Sequence, residues 1–492
     1  MIVRMAWLPG QGTYAVENAT EPYNPTKGDV KFTPSQPVDM RSDELEPKME
    51  SVTPAEEPSN RPAIQNYLNI ASMANIATVQ REEGDEKEGK WQASGDPTEI
   101  ALQVFVTRFG WNRGNLSTES SPDNRWKQIA EMPFDSDVKR MSVLVEDTSS
   151  KDSDLTLFTK GATERVLGCC NTIAFGDNEP EPLTEKMLEE IHANMEALAR
   201  LGLRVLGLAS KSGIERVSEA QVQEGLDRMQ YEKDLTLRGL VGIYDPPRPE
   251  SVISVRACHR AGINVHMLTG DHPDTARAIA GEVAILPSEA KMALLSAETV
   301  KTMVMTAAEF DALSDDQIDK LPELPLVVAR CSPTTKVRMI EALHRRGAFV
   351  AMTGDGVNDS PSLKYADVGI AMGMNGSDVA KNSSDIILTD DNFASILNAI
   401  DEGRRIFDNI QKFILHVLAA NVGFVIALLI GLAFKDQDDI SIFQITPVEI
   451  LFMLLVAGAF TETGLGFEEA SPDILRRPPQ NVSNAFFEFP VG

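Results

Sequence analysis

Apolar positions are unevenly spread along this chain, and their spacing predicts its elements. Apolar and polar residues alternate over residues 1–16, the period of a strand. Residues 21–61 are rich in Pro, Asp and Glu and poor in large apolar side chains, which predicts a mobile loop or linker. Ile64, Leu68, Ala71 and Ile76 fall at helical spacing. Residues 81–90 form a charge run of the kind found on solvated surfaces. From Trp91 to about Leu240, helices mix with short strands at 141–145, 155–159 and 205–209. Past Asp245 the style changes. Strands at 263–269, 326–329, 348–353 and 368–371 alternate with helices at 250–261, from Thr275, and at 335–345. That alternation predicts right-handed βαβ units in a doubly wound parallel sheet, with a site at the carboxyl ends of its strands.

The end of the chain follows a different pattern. Residues 413–434, FILHVLAANVGFVIALLIGLAF, form a charge-free run of 22. At about 1.5 Å per helical residue, that run is long enough to cross a bilayer. Residues 445–467 form a second candidate span, interrupted by Glu449 and Glu462. The connector 435–444 is short and polar, which requires an antiparallel hairpin; a pair of buried core helices is the other reading of such runs. Arg404, Arg405 and Lys412 precede the first span and Arg476 and Arg477 follow the second. The connector sets Lys435 against Asp436, Asp438 and Asp439. Basic residues at both outer ends predict that both ends, and the large soluble part, face the cytoplasm.

Composition narrows the function classes. With 492 residues, two to four domains are expected. Lys and Arg number 46 and Asp and Glu 73, giving a net charge of −27, which disfavours nucleic acid as a partner. Cys169, Cys170, Cys258 and Cys331 show no Cys-x-x-Cys spacing, so neither a zinc module nor a disulfide framework is expected. Residues 1–10 carry no apolar core of export-signal length.

Two predicted strands end alike. One runs into Thr269-Gly270-Asp271, the other into Thr353-Gly354-Asp355-Gly356-Val357-Asn358-Asp359. Acids placed where a strand stops sit at the sheet's active edge, and adjacent glycines allow a sharp turn and close approach. Asp355 and Asp359 are candidate hard-oxygen ligands for Mg²⁺, a metal that neutralises charge on a transferring phosphoryl group. Thr269 supplies a hydrogen-bond donor and Lys336, at a helix start, a positive charge for the same group.

Together with Ser360-Pro361, that last motif resembles the hinge motif of the P-type cation-transporting ATPases. Asp245-Pro246-Pro247-Arg248, Thr269-Gly270-Asp271, Lys160-Gly161-Ala162 and Gly95-Asp96-Pro97-Thr98-Glu99 match further motifs of that family, in the family's order. So do Gly464-Leu465-Gly466-Phe467 and Arg477-Pro478-Pro479 near the end. The opening run and the acidic insert after it look most like the fungal sodium/potassium-exporting branch.

The resemblance implies an α/β haloacid-dehalogenase-like sheet, an inserted α+β nucleotide-binding domain and a C-terminal transmembrane hairpin. It divides the chain into a connection at 1–20, an acidic Pro-rich linker at 21–62 and a nucleotide domain at 63–240. A phosphorylation domain at 241–405, membrane helices at 411–434 and 445–467, and a cytoplasmic tail at 468–492 follow. It implies ATP contacts at Glu99, Phe134 (stacked on adenine), Lys139, Lys160, Arg204 and Arg248. Catalytic roles fall to Thr269, Gly270, Asp271, Lys336 and Asn358, and Mg²⁺ to Asp355 and Asp359. Asn421, Glu449 and Glu462 are candidates for a cation pathway, against roles as interface or helix-bridging residues. Phe424 after Asn421-Val422-Gly423, and Ala457-Gly458 where calcium pumps carry Thr-Asp, deplete the oxygen ligands that Ca²⁺ requires and favour a monovalent cation.

The phosphorylated Asp of an Asp-Lys-Thr-Gly-Thr motif does not occur in the sequence, nor does the Thr-Gly-Glu motif. The expectation is therefore a pump shortened at both ends that binds ATP without turning over alone, missing its N-terminal pump segments as partners. Its setting would be membrane lipid, with the plasma membrane implied. Alternatives are a calcium-type fragment, a soluble haloacid-dehalogenase-like phosphatase and a non-catalytic nucleotide-binding membrane remnant.

Overall fold

A computed structural model describes residues 1–41, 49–81, 90–118, 124–135, 138–149, 155–217, 226–435 and 445–479. Most of the predicted charge run, nearly all of the polar connector with its three aspartates, and the end of the tail lie outside the described residues. The chain forms two compact units: Met1–Pro246 with Gly270–Ile279, and Pro247–Thr269 with Ala280–Gly492. The first change of unit falls inside the Asp245-Pro-Pro-Arg248 motif, where two prolines stop any regular element.

The first unit is organised by an eleven-stranded sheet among the described residues. Its main path runs Glu50–Ser51, Asp29–Thr33, Gly12–Glu17, Ile2–Leu8, Leu235–Tyr244, Leu203–Ile214, Leu155–Ala162, Arg140–Asp147 and Trp126–Asp135. Helices Pro62–Met73 and Pro97–Arg108 contribute to a core of Ile64, Leu68, Phe105, Phe109, Val143, Leu208, Val241 and Ile243. Residues 1–16 thus form two strands, paired through Leu8 and Gly12, rather than one. The stretch read as a linker contains a sheet strand: Asp29–Thr33 pairs with Gly12–Glu17 and buries Val30 and Phe32. Its alternation spans only five residues among Pro and Asp, too short to stand out. Residues 1–62 therefore lie in the same compact unit as residues 63–240.

The second unit holds parallel strands joined by helices. They form two three-stranded sheets rather than one continuous sheet. One orders Met267–Leu268, Val327–Ala329 and Val304–Thr306; the other Ala351–Gly354, Val368–Met372 and Ile386–Leu388. The strand predicted over 263–269 shrinks to Met267–Leu268, flanked by Met267 N–H to Leu326 O (2.8 Å) and Thr269 N–H to Val328 O (3.0 Å). Val304–Thr306 and Ile386–Leu388, three residues each, were too short to show a period. Phe310, Ile318, Val328 and Met339 fill a core beneath the first sheet.

A single helix, Ala394–Ala433, runs for 40 residues, so the first predicted span is the second half of one rod that begins well before it. The second span is Pro447–Gly466, with a π-helical turn at Met453–Ala457. Both are long and apolar enough to cross a membrane, and none of the apolar window of either is buried, unlike core helices of a soluble protein. The hairpin is antiparallel: Asn409 Nδ2 donates to Glu468 O (3.0 Å) and Lys412 Nζ reaches Glu468 Oε2 (2.6 Å). Arg404 then donates to the carbonyls of Ile474 (2.7 Å) and Arg477 (2.8 Å), which holds the returning segment on the first helix.

Candidate functional site

In the first unit, three neighbouring strands bring the predicted nucleotide residues to one rim. Asp135 pairs with Arg140 and Arg140 with Gly161, so Phe134, Lys139 and Lys160 lie at the same end of consecutive strands. Leu206 pairs with Ala162 on the next strand, which carries Arg204 to that rim as well. Phe134 is 64% exposed, a large aromatic ring left in solvent where a planar ligand can stack.

Lys160 and Glu99 form a buried pair. Lys160 Nζ donates to Glu99 Oε1 at 2.7 Å, and the second oxygen accepts from Ile76 N–H at 3.1 Å. Glu99 sits in the first turn of Pro97–Arg108, whose N-terminus Asp96 caps by accepting from Thr98 N–H at 2.8 Å. Asn75 Nδ2 donates to the Glu99 carbonyl at 2.9 Å, and the Arg113 guanidinium bonds the Asn75 carbonyl. Burial pushes the Lys160 ammonium below the ordinary lysine range, with Glu99 pulling the other way.

Gly161 is small for a reason the sequence did not suggest. A Cβ there would lie 2.5 Å from Lys139 O and 2.7 Å from Arg140 Cα, so the glycine admits the neighbouring strand's backbone rather than a ligand. Lys139 itself holds φ +54, pinned by its N–H to Asp135 O (2.7 Å) and by Ala162 N–H to its carbonyl (2.9 Å). Arg204 is half exposed and faces Asp271 at 3.5 Å within this same unit.

In the second unit the strand-end motifs are built as follows. Thr269 is fixed by its main chain: its N–H donates to Val328 O and its carbonyl accepts from Cys331 N–H at 2.9 Å. Burial first of all pushes the Cys331 thiol up to about 11, so this neighbour is no nucleophile at neutral pH. Gly270, counted with the first unit, leaves open space where a Cβ would stand. Lys336, in the first turn of Pro333–Arg345 behind the Ser332 cap, donates to Asp359 Oδ1 at 2.5 Å. The other Asp359 oxygen accepts from Gly356 N–H at 3.2 Å. Gly354 is required sterically, since a Cβ would come within 2.6 Å of Asp359 Cβ.

Asp355 and Asn358 are exposed at this strand end, whereas Asp359 is buried. Ser360 Oγ is buried there without a hydrogen-bond partner. Among the described residues no three acidic, His or Cys side chains gather as a metal cluster. Mg²⁺ binds through one or two carboxylates and keeps its waters, so an exposed Asp355 beside Asp359 and an unpaired hydroxyl fit its chemistry. Arg248 belongs to this unit rather than to the one that carries the other predicted ATP residues, and donates to Asp390 O at 3.4 Å.

In the hairpin, Glu449 caps its own helix, accepting from Thr446 N–H (2.8 Å) and Oγ1 (2.9 Å). Glu462 is half-buried and lies one turn from Gly458; Asn421 is exposed. Asn75, Arg113 and Glu232 lie in none of the motifs that the sequence offers, and Ser360, although inside the hinge motif, carries no expected role there.

Comparison with known proteins agrees with this layout. The P-type ATPase cytoplasmic domain N matches residues 63–250. Two haloacid dehalogenase-like hydrolase patterns match 173–367 and 336–400. The sodium/potassium exporting P-type ATPase 2 of Saccharomyces cerevisiae is 46% identical over 522 aligned residues, 100% of this chain and 47% of that protein. The chain belongs to the P-type ATPases. Sodium/potassium exporting P-type ATPase cta3 of Schizosaccharomyces pombe is 47% identical over 99% of this chain and 44% of its own length. A calcium-transporting ATPase of Bacillus subtilis is 33% identical over 87% of this chain and 44% of its own. The chain thus spans about half the length of these P-type ATPases.

Proposed function

We propose that this chain is the ATP-binding and phosphoryl-handling part, with two membrane helices, of a pump that exports monovalent cations, sodium and potassium, through an aspartyl-phosphate. The observation that carries the reading is the rim at one end of neighbouring strands that brings together exposed Phe134, Lys139 and Lys160, the last held in a buried pair with Glu99. Phe134 offers a stacking face, Lys139, Lys160 and Arg204 offer positive charge, and Glu99 fixes Lys160 in place. Arg248, Thr269, Gly270, Asp271 and Asn358 would orient the phosphoryl group, with Lys336 lending charge. Asp355 and Asp359 would hold Mg²⁺, which when bound neutralises charge on the phosphoryl oxygens. Asn421 and Glu462 would line a cation route, with Glu449 at its rim. The relatives that export sodium and potassium favour those ions, and a plasma-membrane location with the soluble units in the cytoplasm follows from the same likeness.

Titration of the purified chain in detergent with MgATP tests the nucleotide part; absence of binding overturns it. The ion is tested by co-expressing the chain with the N-terminal half of a sodium/potassium exporting relative in cells lacking their own exporter. Restored sodium efflux is expected, and calcium efflux instead would overturn the assignment.

A further inference from the structure

One carboxylate outside every motif ties the nucleotide rim together. Glu232 is 3% exposed and follows the short helix Arg228–Tyr231 as its C-cap. Its Oε2 accepts from Arg140 Nε at 2.5 Å. Its Oε1 accepts from Ser142 Oγ at 2.7 Å and from the Arg228 guanidinium at 3.3 Å. Ser142 Oγ in turn meets Thr159 Oγ1 at 2.8 Å, the residue before Lys160. The Arg228 guanidinium also bonds the Arg140 carbonyl at 3.2 Å and the Pro133 carbonyl.

The contacts converge on the neighbours of Phe134 and Lys139. Pro133 precedes Phe134 and Arg140 follows Lys139, so Arg228 bonds the carbonyl next to each while Glu232 holds Arg228 and Arg140. Two guanidinium groups on a single buried carboxylate form a set in which each member needs the others. Without the carboxylate, two like charges would face each other with poor access to water.

We infer that Glu232, acting through Arg228 and Arg140, is a positioning residue that sets Phe134 and Lys139 for adenine nucleotide. The inference rests on the assignment of Phe134 and Lys139 to the nucleotide site. Glu232 touches no ligand in this account; it fixes where the stacking ring and the ammonium stand.

The test is a double-mutant cycle on the full chain in detergent, with MgATP affinity read by calorimetry below the unfolding temperature of every variant. Glu232→Gln keeps the shape and removes the charge, and is expected to weaken MgATP binding about tenfold. In a Phe134→Ala background the same change is expected to cost less than about twofold, because the ring it positions is gone. A merely structural role predicts additive effects, and additivity overturns the proposal. Where Glu232→Gln does not fold, Arg228→Lys, which keeps the charge but loses the guanidinium fork, takes its place with the same expected pattern. Full affinity in Glu232→Gln alongside a loss in Phe134→Ala overturns the positioning role alone. Full affinity in Phe134→Ala overturns the nucleotide-site reading, and this proposal with it.

Discussion

Two lysine–carboxylate pairs anchor the two units, and they are wired alike. Lys160 meets Glu99 at 2.7 Å and Lys336 meets Asp359 at 2.5 Å. In each, the second carboxylate oxygen accepts a backbone N–H, from Ile76 or from Gly356. Their supports differ. Lys160 lies on a strand inside an antiparallel sheet, 61 residues from its partner, with side-chain exposures of 8% and 10%. Lys336 reaches 23 residues from a helix start to a glycine-rich loop beside exposed Asp355, with exposures of 15% and 11%. The first pair is locked between a sheet strand and a helix start. The second borders a loop whose Asp355 and Asn358 are exposed to solvent.

Breaking the pairs should therefore have unequal results. Lys160→Ala leaves Glu99 as an uncompensated buried charge, and a loss of about 3–5 kcal/mol in urea unfolding is expected. Lys336→Ala should cost less, about 1–3 kcal/mol by the same measurement: Asp359 is as buried as Glu99, but its loop carries exposed Asp355 and Asn358, so a small rearrangement lets water reach the carboxylate. Equal losses would erase the distinction between the locked pair and the loop pair. Phe134→Ala should leave the melting temperature unchanged, since the ring is mostly in solvent. It should weaken MgATP binding by about 1–3 kcal/mol, the worth of a base stacked on an aromatic ring.

Acidity sharpens the same contrast. Burial lowers the Lys160 pKa, so its charge is lost at a lower pH than an ordinary lysine's. MgATP affinity should fall as pH rises through that lowered value, and Lys160→Ala should remove this alkaline limb. Between the lowered value and the ordinary one, the unfolded chain holds the extra proton, so the Lys160 contribution to stability rises with pH over that window. The smallest effect is expected at Arg204→Ala. Its pair with Asp271 is 3.5 Å long and half exposed, worth under about 1 kcal/mol in thermal unfolding.

Legibility differed between the units for physical reasons. The strand-end loop announced itself, because seven consecutive residues, Thr353 to Asp359, carry both the backbone geometry and the chemistry. The long apolar runs did the same for the hairpin, although the 40-residue helix hid its start among charged residues. The first unit was harder. The strand Asp29–Thr33 is five residues long inside a stretch of Pro and Asp. Nothing in the sequence shows that Gly161 makes room for the backbone of the neighbouring strand. Glu232 bonds to Arg140 and Ser142, about ninety residues earlier, and no local pattern records a contact of that span. The parallel sheet was foreseen as one piece because alternation gives strand order only through connections, and cannot show where pairing stops.

The most direct test of the central claim is calorimetric titration of MgATP into the purified 492-residue chain and into its Lys160→Ala variant, both held below their unfolding temperatures. Saturable one-site binding by the chain, with at least a tenfold loss in the variant, is the result predicted for a nucleotide site that draws on Lys160. Equal affinity in the two proteins, or no binding by either, would contradict it.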